Sequence, residues 1–349
     1  MQRELLSPFP LLNGEGDLTQ PGFSRRPLAE YRRGAVRSAP FSIREWDDYY
    51  VGNQRFGISL TVADMGYAKA DAAAVFSFSG PDAPRQTAKV VLRPCSPGQS
   101  GLPASSQQGV TASSGRTHAL LFRHTDHPTL GRTRELLFHM DRFQDGQPLH
   151  GRILLSQEPR DSMVLYAPFD RPGRFLFSRK LCCLRASGAV FLGERRFTFD
   201  PADSFGVLNW GRGAFPRRGS WCWASASGLA AGVPVGFSVG YGSQNALAAT
   251  ENMVFFNGAG HKLSGVIFHL PAAGGAAAAA PWIFSSDDGR LSLRFFPVLE
   301  RTGQCGAGPL RLVRRRAFGR FSGWVRLDSG AKLELTQLMG FAERGEYRW

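Results

Sequence analysis

The segment NWGRGAFPRRGSWCWASASG, residues 209–228, decides how this chain is expected to fold. In residues 221–227 tryptophan and serine alternate with cysteine and alanine, which is the two-residue period of a β-strand. The glycines near the start of the segment permit a tight turn or a bulge. Because three of the seven tryptophans of the chain lie here, the segment predicts a strand whose aromatic face is central to the protein.

The rest of the chain also has the sequence features of short β-strands. Short apolar runs, many of them rich in phenylalanine, are separated by glycine-containing turns, as in residues 56–63 (FGISLTVA), 73–79 (AAVFSFS) and 235–239 (VGFSV). Few windows show the 3.6-residue period of a helix. Many short strands at near-regular spacing predict an all-β protein of antiparallel barrels or sandwiches, with few and short helices.

Two segments with the same internal order indicate a duplication. Residues 56–80 and 234–258 each run through a strand, a loop of small residues, a second strand and a glycine turn. We therefore expect two related β units after an irregular N-terminal arm of residues 1–40. The N-terminal unit is expected to span residues 41–180 and the C-terminal unit residues 181–349.

The net charge of +14 raises the question of an anionic partner. The basic excess is almost all arginine, and its one concentrated run, RLVRRR at residues 311–316, is too short for a nucleic-acid-binding arm, so nucleic acid is not an expected partner. Peripheral contact of the basic surface with an anionic membrane is kept as an option. The sequence has no signal peptide and no apolar run of about 18–20 residues, so we expect a cytoplasmic protein.

The predicted strand at residues 221–227 allows two interpretations. A two-residue period places Trp221, Trp223, Ser225 and Ser227 on one face, with small side chains on the other. Two indoles one above the other form either a large core contact or the wall of an apolar ligand cavity. The two serines that share this face keep the ligand interpretation open.

Trp210 and Arg212 allow a different pair of interpretations. A guanidinium can stack on an indole while it donates hydrogen bonds to nearby carbonyl oxygens. This pair therefore either holds a barrel closed or, through Arg212, anchors a ligand carboxylate or phosphate. The sequence alone does not choose between the two.

Candidate acid and base residues lie at predicted strand ends. Glu251 follows one strand and His261 begins another, so the two side chains could form an acid–base pair. Turns also favour such residues for their hydrogen bonds alone. The sequence contains no phosphate-binding, dinucleotide or nucleophile-elbow motif and no set of histidines or cysteines with metal-ligand spacing. We expect neither a cofactor nor a metal.

Several motifs resemble those of one known family. The string at residues 199–213 (FDPADSFGVLNWGRG), together with WCWASA at 221–226, is similar to the signature of the DUF2804 family. TEN at 250–252, GHKL at 260–263 and GFAE at 340–343 also fit, and the resemblance covers nearly the whole chain. At position 209 the family usually carries an acidic residue and at 222 an asparagine, where this chain has Asn209 and Cys222.

The resemblance implies a fold and a class of function. Through a more distant similarity to carotenoid hydratases, tocopherol cyclases and AttH-like proteins, it implies two consecutive lipocalin-like (calycin) barrels or half-open sheets that hold a long apolar ligand. The first hypothesis is a cofactor-independent enzyme of hydratase, cyclase or isomerase type that acts on an isoprenoid, carotenoid or fatty acyl molecule. The alternatives are a non-catalytic lipid carrier and a scaffold whose aromatic motif only packs.

The enzyme hypothesis assigns roles to particular residues. Glu251, His261 and Asp64 would transfer the proton, and the indoles of Trp221 and Trp223 would stabilise positive charge on the substrate by cation–π contact. The side chains expected to bind the ligand are Trp210, Arg212, Trp221, Trp223, Ser225, Asn252 and Trp282. The expected partner is a hydrophobic small molecule.

Overall fold

The computed structural model describes residues 2–81, 83–94, 102–156, 158–271, 280–305 and 311–349. In these ranges the chain forms two antiparallel sheets. The strands of the first are β1 (Gly22–Ser24), β2 (Ile43–Gly52), β3 (Phe56–Asp64), β4 (Ala68–Ser77), β5 (Arg85–Pro94), β6 (Val110–Gly115), β7 (His118–His127), β8 (Gly131–Gln144), β9 (Gln147–Ser156), β10 (Met163–Pro168), β11 (Phe175–Leu192), β12 (Arg195–Phe199) and β13 (Phe205–Ala214).

The second sheet contains the strands that follow. They are β14 (Arg218–Ala230), β15 (Val233–Gly242), β16 (Met253–Phe256), β17 (Ala259–Lys262), β18 (Val266–His269), β19 (Trp282–Ser286), β20 (Leu291–Cys305), β21 (Arg311–Arg326) and β22 (Lys332–Arg348). The helices of the described ranges are two single 3-10 turns, Arg33–Ala35 and Pro40–Ser42, and neither is long and apolar enough to cross a membrane. The prediction of an all-β fold with few short helices is confirmed.

Strand order places the two halves of segment 209–228 in different sheets. The first sheet has the order β5-β4-β3-β2-β13-β11-β9-β8-β7-β6, with β10 and β12 also paired to β11 and β1 paired to β10. The second has the order β17-β16-β15-β14-β22-β21-β20-β19-β18. The segment holds the end of β13 and most of β14, so it is the passage from one sheet to the other.

Both sheets are curled and open. In the first, side chains of β5 bond to β8 across the gap: Lys89 Nζ donates to the carbonyl oxygen of Asp141 at 2.6 Å and Thr87 Oγ1 to Gln144 Oε1 at 2.9 Å. In the second, the ring of Tyr241 on β15 lies 5.3 Å from that of Phe268 on β18. The half-open lipocalin-like sheets that the sequence predicts are therefore present.

The boundaries of the sheets can be compared with the expected domains. The expected division after residue 180 falls inside β11, whereas the chain passes from the first sheet to the second between Ala214 and Arg218. The expected arm of residues 1–40 contains the short strand β1, which pairs with β10. The division into domains itself stays a proposal.

Each curled sheet encloses one apolar core, and a third core lies between the sheets. The two-residue period of the strands distributes the side chains among them. On β13, Leu208 and Trp210 point into the first sheet, whereas Val207 packs in the core between the sheets. On β14, Ala224 points into the second sheet and Trp223 towards the first.

Arg212 is fully buried inside the first sheet. Its guanidinium donates at 2.8 Å to Asp47 Oδ1, to the carbonyl oxygen of Trp46 and to that of Pro103, and it lies 4.4 Å from the ring centroid of Trp210. A buried charge is tolerated when it is paired and hydrogen-bonded in this way. In this structure Arg212 joins β13 to β2 and to the loop at Pro103, with Trp210 stacked beside its guanidinium.

Replacing Arg212 with methionine is expected to destabilise the protein by about 3–5 kcal/mol, because the Asp47 carboxylate would be left buried without its counter-ion. Urea unfolding measures the change in the free energy of unfolding. Arg217→Met serves as the matched control: this arginine belongs to the same motif but is exposed, so its replacement should cost less than about 0.5 kcal/mol. Equal effects of the two variants would contradict the structural role of Arg212.

Candidate functional site

The interface between the sheets contains the aromatic face predicted from the sequence. Trp221 and Trp223 pack in the core between the sheets, and Ser225 follows them on the same face of β14. The prediction that these side chains share a face is confirmed. The surface they meet is the first sheet and not the interior of a barrel.

One part of the interface is closely packed. The ring of Trp223 meets Phe341 edge to face at 4.8 Å, and Tyr50 lies 5.5 Å from Phe318. The Ser225 hydroxyl donates to the carbonyl oxygen of Phe237 at 2.8 Å and is completely buried. This part of the predicted ligand-binding face is therefore occupied by protein.

Next to it lies a group of ionisable and aromatic residues that we call the inter-sheet cluster. Its members come from six strands and one loop: Trp46, Asp48, Lys180, Asn209, Trp221, Trp223, Glu251, Arg314, Arg316 and Glu343. Trp46, Asn209 and Trp221 are half-buried and Arg314 is exposed. Solvent therefore reaches the cluster although its side chains lie between two sheets.

On the side of the first sheet, Lys180 is the central cation. Its Nζ donates to Asn209 Oδ1 and lies 3.6 Å from Glu251 Oε1. Asn209 Oδ1 also accepts from the indole nitrogen of Trp46 at 3.1 Å, and Glu251 accepts from the hydroxyl of Ser178. The loop before β16 thus brings Glu251 to β11 of the other sheet.

On the side of the second sheet, Glu343 is the central anion. It accepts from Trp221 Nε1 at 2.7 Å and from Arg316 Nε at 2.6 Å. Burial by itself would raise the pKa of Glu343, but the charges of Arg316 and Arg314 outweigh it and the pKa is lowered. Glu343 is therefore an ionised carboxylate with both oxygens occupied.

Asp48 and Arg314 are two of the members with free hydrogen-bonding capacity. Asp48 stands opposite Asn209 in the β2–β13 register and accepts from Thr61 Oγ1 at 2.7 Å through Oδ1. Within the described ranges, Asp48 Oδ2 and the Arg314 guanidinium have no hydrogen-bond partner. The pKa of Arg314 is lowered by the charge of Arg316 and by burial, with Glu343 and Asp48 acting in the opposite direction.

Two glycines provide the space for the outer indoles. A Cβ atom at Gly211 would collide with the Trp46 ring, and one at Gly345 would collide with the Trp221 ring. Each indole thus lies flat on its own sheet, directly over a glycine of the neighbouring strand. The sequence motif at residues 209–213 contributes Gly211 to this arrangement.

The structure does not bring the three predicted acid–base residues together. His261 lies on β17, where its Nδ1 is 3.4 Å from Asp328 Oδ2, and not beside Glu251. Asp64 is buried in the first sheet, 3.6 Å from Arg33, and accepts from the amide of Gly66 at 2.7 Å. Of the three, Glu251 alone belongs to the inter-sheet cluster.

Two predicted ligand-binding residues also lie elsewhere. Asn252 is buried and fixes its own loop, because it accepts from the amide of Gly240 at 2.6 Å and donates to the carbonyl oxygen of Ser264 at 2.7 Å. Trp282 belongs to the core of the second sheet, 5.3 Å from the ring of Phe295. Neither side chain faces the inter-sheet cluster.

Two cavities lie in the described ranges outside the cluster itself. One of about 220 Å³ lies between the sheets and is lined by Tyr50, Val207, Leu338 and others. Tyr50 stands on the same face of β2 as Asp48, two residues further along, but no member of the cluster lines this cavity. A second cavity, at one end of the first sheet near Trp210, measures about 20 Å³, which has room for little more than a water molecule.

Sequence reasoning missed Trp46, Asp48, Lys180, Arg314, Arg316 and Glu343 as site residues. A signal existed for some of them. The two-residue period of β2 places Trp46 and Asp48 on one face, and Glu343 closes the motif GFAE. The chemistry was not recognisable because the partners come from different strands, some of them more than 100 residues apart along the chain, as with Trp46 and Asn209.

The chain as a whole can now be compared with known proteins. The domain of unknown function DUF2804 matches residues 2–349. The chain belongs to the DUF2804 family. A search of curated proteins gave no match.

Solved structures with a similar fold share little sequence with this chain. Kievitone hydratase from Nectria haematococca is 12% identical, with 97% of this chain and 98% of that chain covered and a TM-score of 0.47. CghA is also 12% identical, with 97% of each chain covered and the same TM-score. A candidate AttH protein from Nitrosomonas europaea is 12% identical, with 88% and 92% covered and a TM-score of 0.48. These likenesses concern the fold.

The loop that carries Glu251 depends on a second lysine. Lys262 Nζ donates to Thr250 Oγ1 at 2.9 Å, and burial lowers the pKa of Lys262 to about 7 despite the nearby carboxylates of Asp288 and Asp287. In the unfolded chain a lysine pKa is about 10.4. Between these values the unfolded state holds a proton that the folded state has lost.

The contribution of Lys262 to stability should therefore rise with pH from about 7 to 10, by at most about 1.4 kcal/mol per pH unit. Urea unfolding at several pH values should show the free energy of unfolding of the wild type rising relative to that of Lys262→Met across this window. Lys332→Met, at an exposed lysine, should follow the wild type. Parallel profiles of wild type and Lys262→Met would contradict the lowered pKa.

Proposed function

We propose that the inter-sheet cluster is the active site of an acid–base enzyme that adds water to, or moves, a carbon–carbon double bond in a largely apolar small molecule without a cofactor. The observation that carries this proposal is the combination of Asp48 and Arg314. A buried carboxylate with a free oxygen and an exposed guanidinium without a partner in the described ranges both point into the interface between the sheets, where the charge of Asp48 acts on Arg314.

The charges of the cluster favour one type of double bond. Trp223, which was expected to stabilise a carbocation, already has Lys180 Nζ 4.6 Å from its ring centroid. Arg314 and Arg316 lie near Asp48. Lys180 and Arg316 are paired with Glu251 and Glu343, so Arg314 is the cation of the cluster without a partner in the described ranges. Its charge disfavours a carbocation beside it and stabilises developing negative charge. The preferred substrate therefore has its double bond conjugated to a carbonyl group, whose oxygen can carry that charge.

The chemical steps follow from these groups. Asp48 accepts a proton from water while the water oxygen bonds to the β-carbon, and the electron pair of the double bond moves to the carbonyl oxygen. Arg314 binds this oxygen as an oxyanion. The carboxylic acid of Asp48 then returns the proton to the α-carbon, so H and OH are added and the carboxylate is restored. Removal of a proton from the γ-carbon, in place of water addition, gives isomerisation.

Other members position the reacting groups. Glu343 holds Arg316 and the indole of Trp221, and Asn209 holds the indole of Trp46. The two half-buried indoles offer flat apolar surfaces for the body of the substrate.

The alternative is a carrier of hydrophobic ligands. A carrier needs an apolar cavity without ionisable groups that point into it, but the cavity found inside the first sheet has a volume of about 20 Å³. The inter-sheet cluster, in turn, is rich in charge. The carrier hypothesis is therefore the weaker one, and it predicts binding without turnover.

Deuterium exchange tests the enzyme proposal without knowledge of the natural substrate. The protein is incubated in D2O with α,β-unsaturated carbonyl compounds that have aromatic, isoprenoid or acyl bodies, and mass spectrometry records deuterium uptake and water addition. Asp48→Asn should lower the rate at least about 100-fold, the usual contribution of a general base, with a small change in KM.

The control is Asp126→Asn, at an exposed aspartate of β7, which should keep the wild-type rate. Equal rates for wild type and Asp48→Asn would exclude Asp48 as the base. Quenching of tryptophan fluorescence by a compound that is neither deuterated nor hydrated would support the carrier. If no compound binds or reacts, the cluster is not a site for this class of substrate.

A further inference from the structure

The basic run at residues 311–316 is divided between two faces of β21. Arg314 and Arg316 point towards the first sheet and belong to the inter-sheet cluster. Arg311 and Arg315 point the other way, to the concave side of the second sheet, on the same face as the buried Ala317. The cluster therefore accounts for only half of the motif.

On the concave side three arginines stand next to one another on adjacent strands. Arg348 of β22 is in register with Arg218 of β14 and with Arg311 of β21. We call these three residues the arginine row. All three are exposed. Each lies an even number of residues from an alanine of its own strand that points into the second sheet, so the row is on the concave side of that sheet.

No hydrogen bond or ion pair is present for the three guanidinium groups within the described ranges. Glu346 is the carboxylate that follows on the same face of β22, and it is bonded to Arg344 at 2.8 Å. The residues outside the described ranges contain a single acidic side chain in the sequence, Asp82. The positive charge of the arginine row is thus not balanced by a paired carboxylate.

Such a row is unfavourable by itself. Directly opposed residues on antiparallel strands have Cβ atoms about 4.5–5.5 Å apart, and like charges at that spacing destabilise the sheet. Arg348 has a like charge on both sides. A carboxylate ligand would neutralise one of the three charges, whereas a phosphate group carries close to two and offers three oxygens for the paired N–H donors of arginine.

We propose that the arginine row is a binding site for a phosphate-bearing small molecule. The phosphate group lies over Arg348 and receives hydrogen bonds from Arg218 and Arg311 on either side. The site is on the opposite face of β21 and β22 from the inter-sheet cluster. It is therefore independent of the proposed reaction.

Thermal unfolding and calorimetric titration at low ionic strength test this site, with inorganic phosphate and pyrophosphate as probes and chloride at equal ionic strength as reference. For the wild type, Tm should rise with phosphate by more than with chloride. Arg348→Gln should weaken phosphate binding at least tenfold. Without phosphate, its Tm should exceed that of the wild type because the repulsion within the row is relieved.

Two further variants keep the test decisive. Arg311→Gln should weaken phosphate binding like Arg348→Gln, whereas Arg85→Gln, which removes an exposed arginine paired in register with Ser77, should bind phosphate as the wild type does. Wild-type affinity in Arg348→Gln would overturn the proposal. Sedimentation of the protein with phosphatidic acid vesicles, without any response to free phosphate, would also overturn it and indicate a membrane surface instead.

Discussion

The strand β13 and residues 222–226 of β14 have protein on both of their faces, and much of the structure depends on this constraint. A buried stretch of this kind cannot place charges towards bulk solvent, so each polar side chain on it needs a partner inside the protein. Arg212 finds Asp47 and two carbonyl oxygens within the first sheet. Asn209, on the opposite face of the same strand, finds Lys180 and Trp46 between the sheets.

The same constraint explains the glycines of segment 209–228. Where two indoles must lie flat within an interface, the neighbouring strand has no room for a Cβ atom, as at Gly211 under Trp46. The conspicuous composition of the segment is therefore a requirement of packing between sheets. The cluster next to it is accessible because the two sheets do not close completely at Arg314 and Trp221.

The fold could be predicted largely from local patterns. The two-residue period was sufficient to place Trp221, Trp223 and Ser225 on one face, since alternation is a property of a single strand. It did not reveal what lies opposite that face, because this depends on β2 and β11, far away in the sequence. For this reason the sequence left open a barrel interior for this face, where the structure has the interface between the two sheets.

The candidate site was less predictable for a related reason. Glu251 and His261 are close in the sequence, yet the loop of Glu251 reaches across to β11 while His261 points to Asp328 in another turn. Proximity along a hairpin does not determine which way two side chains point. Asp48, by contrast, lies about 160 residues from its neighbour Asn209 and becomes visible only through the register of β2 with β13.

Asn209 has a particular electrostatic role in this arrangement. The family resemblance predicts an acidic residue here, and a carboxylate would stand directly opposite Asp48 and accept from Lys180. Two adjacent carboxylates shift each other's pKa values, and one of them is raised. With Asn209 this coupling is absent, and Lys180 has Glu251 as its charged partner. The amide therefore leaves Asp48 as the carboxylate of this strand pair that faces Arg314.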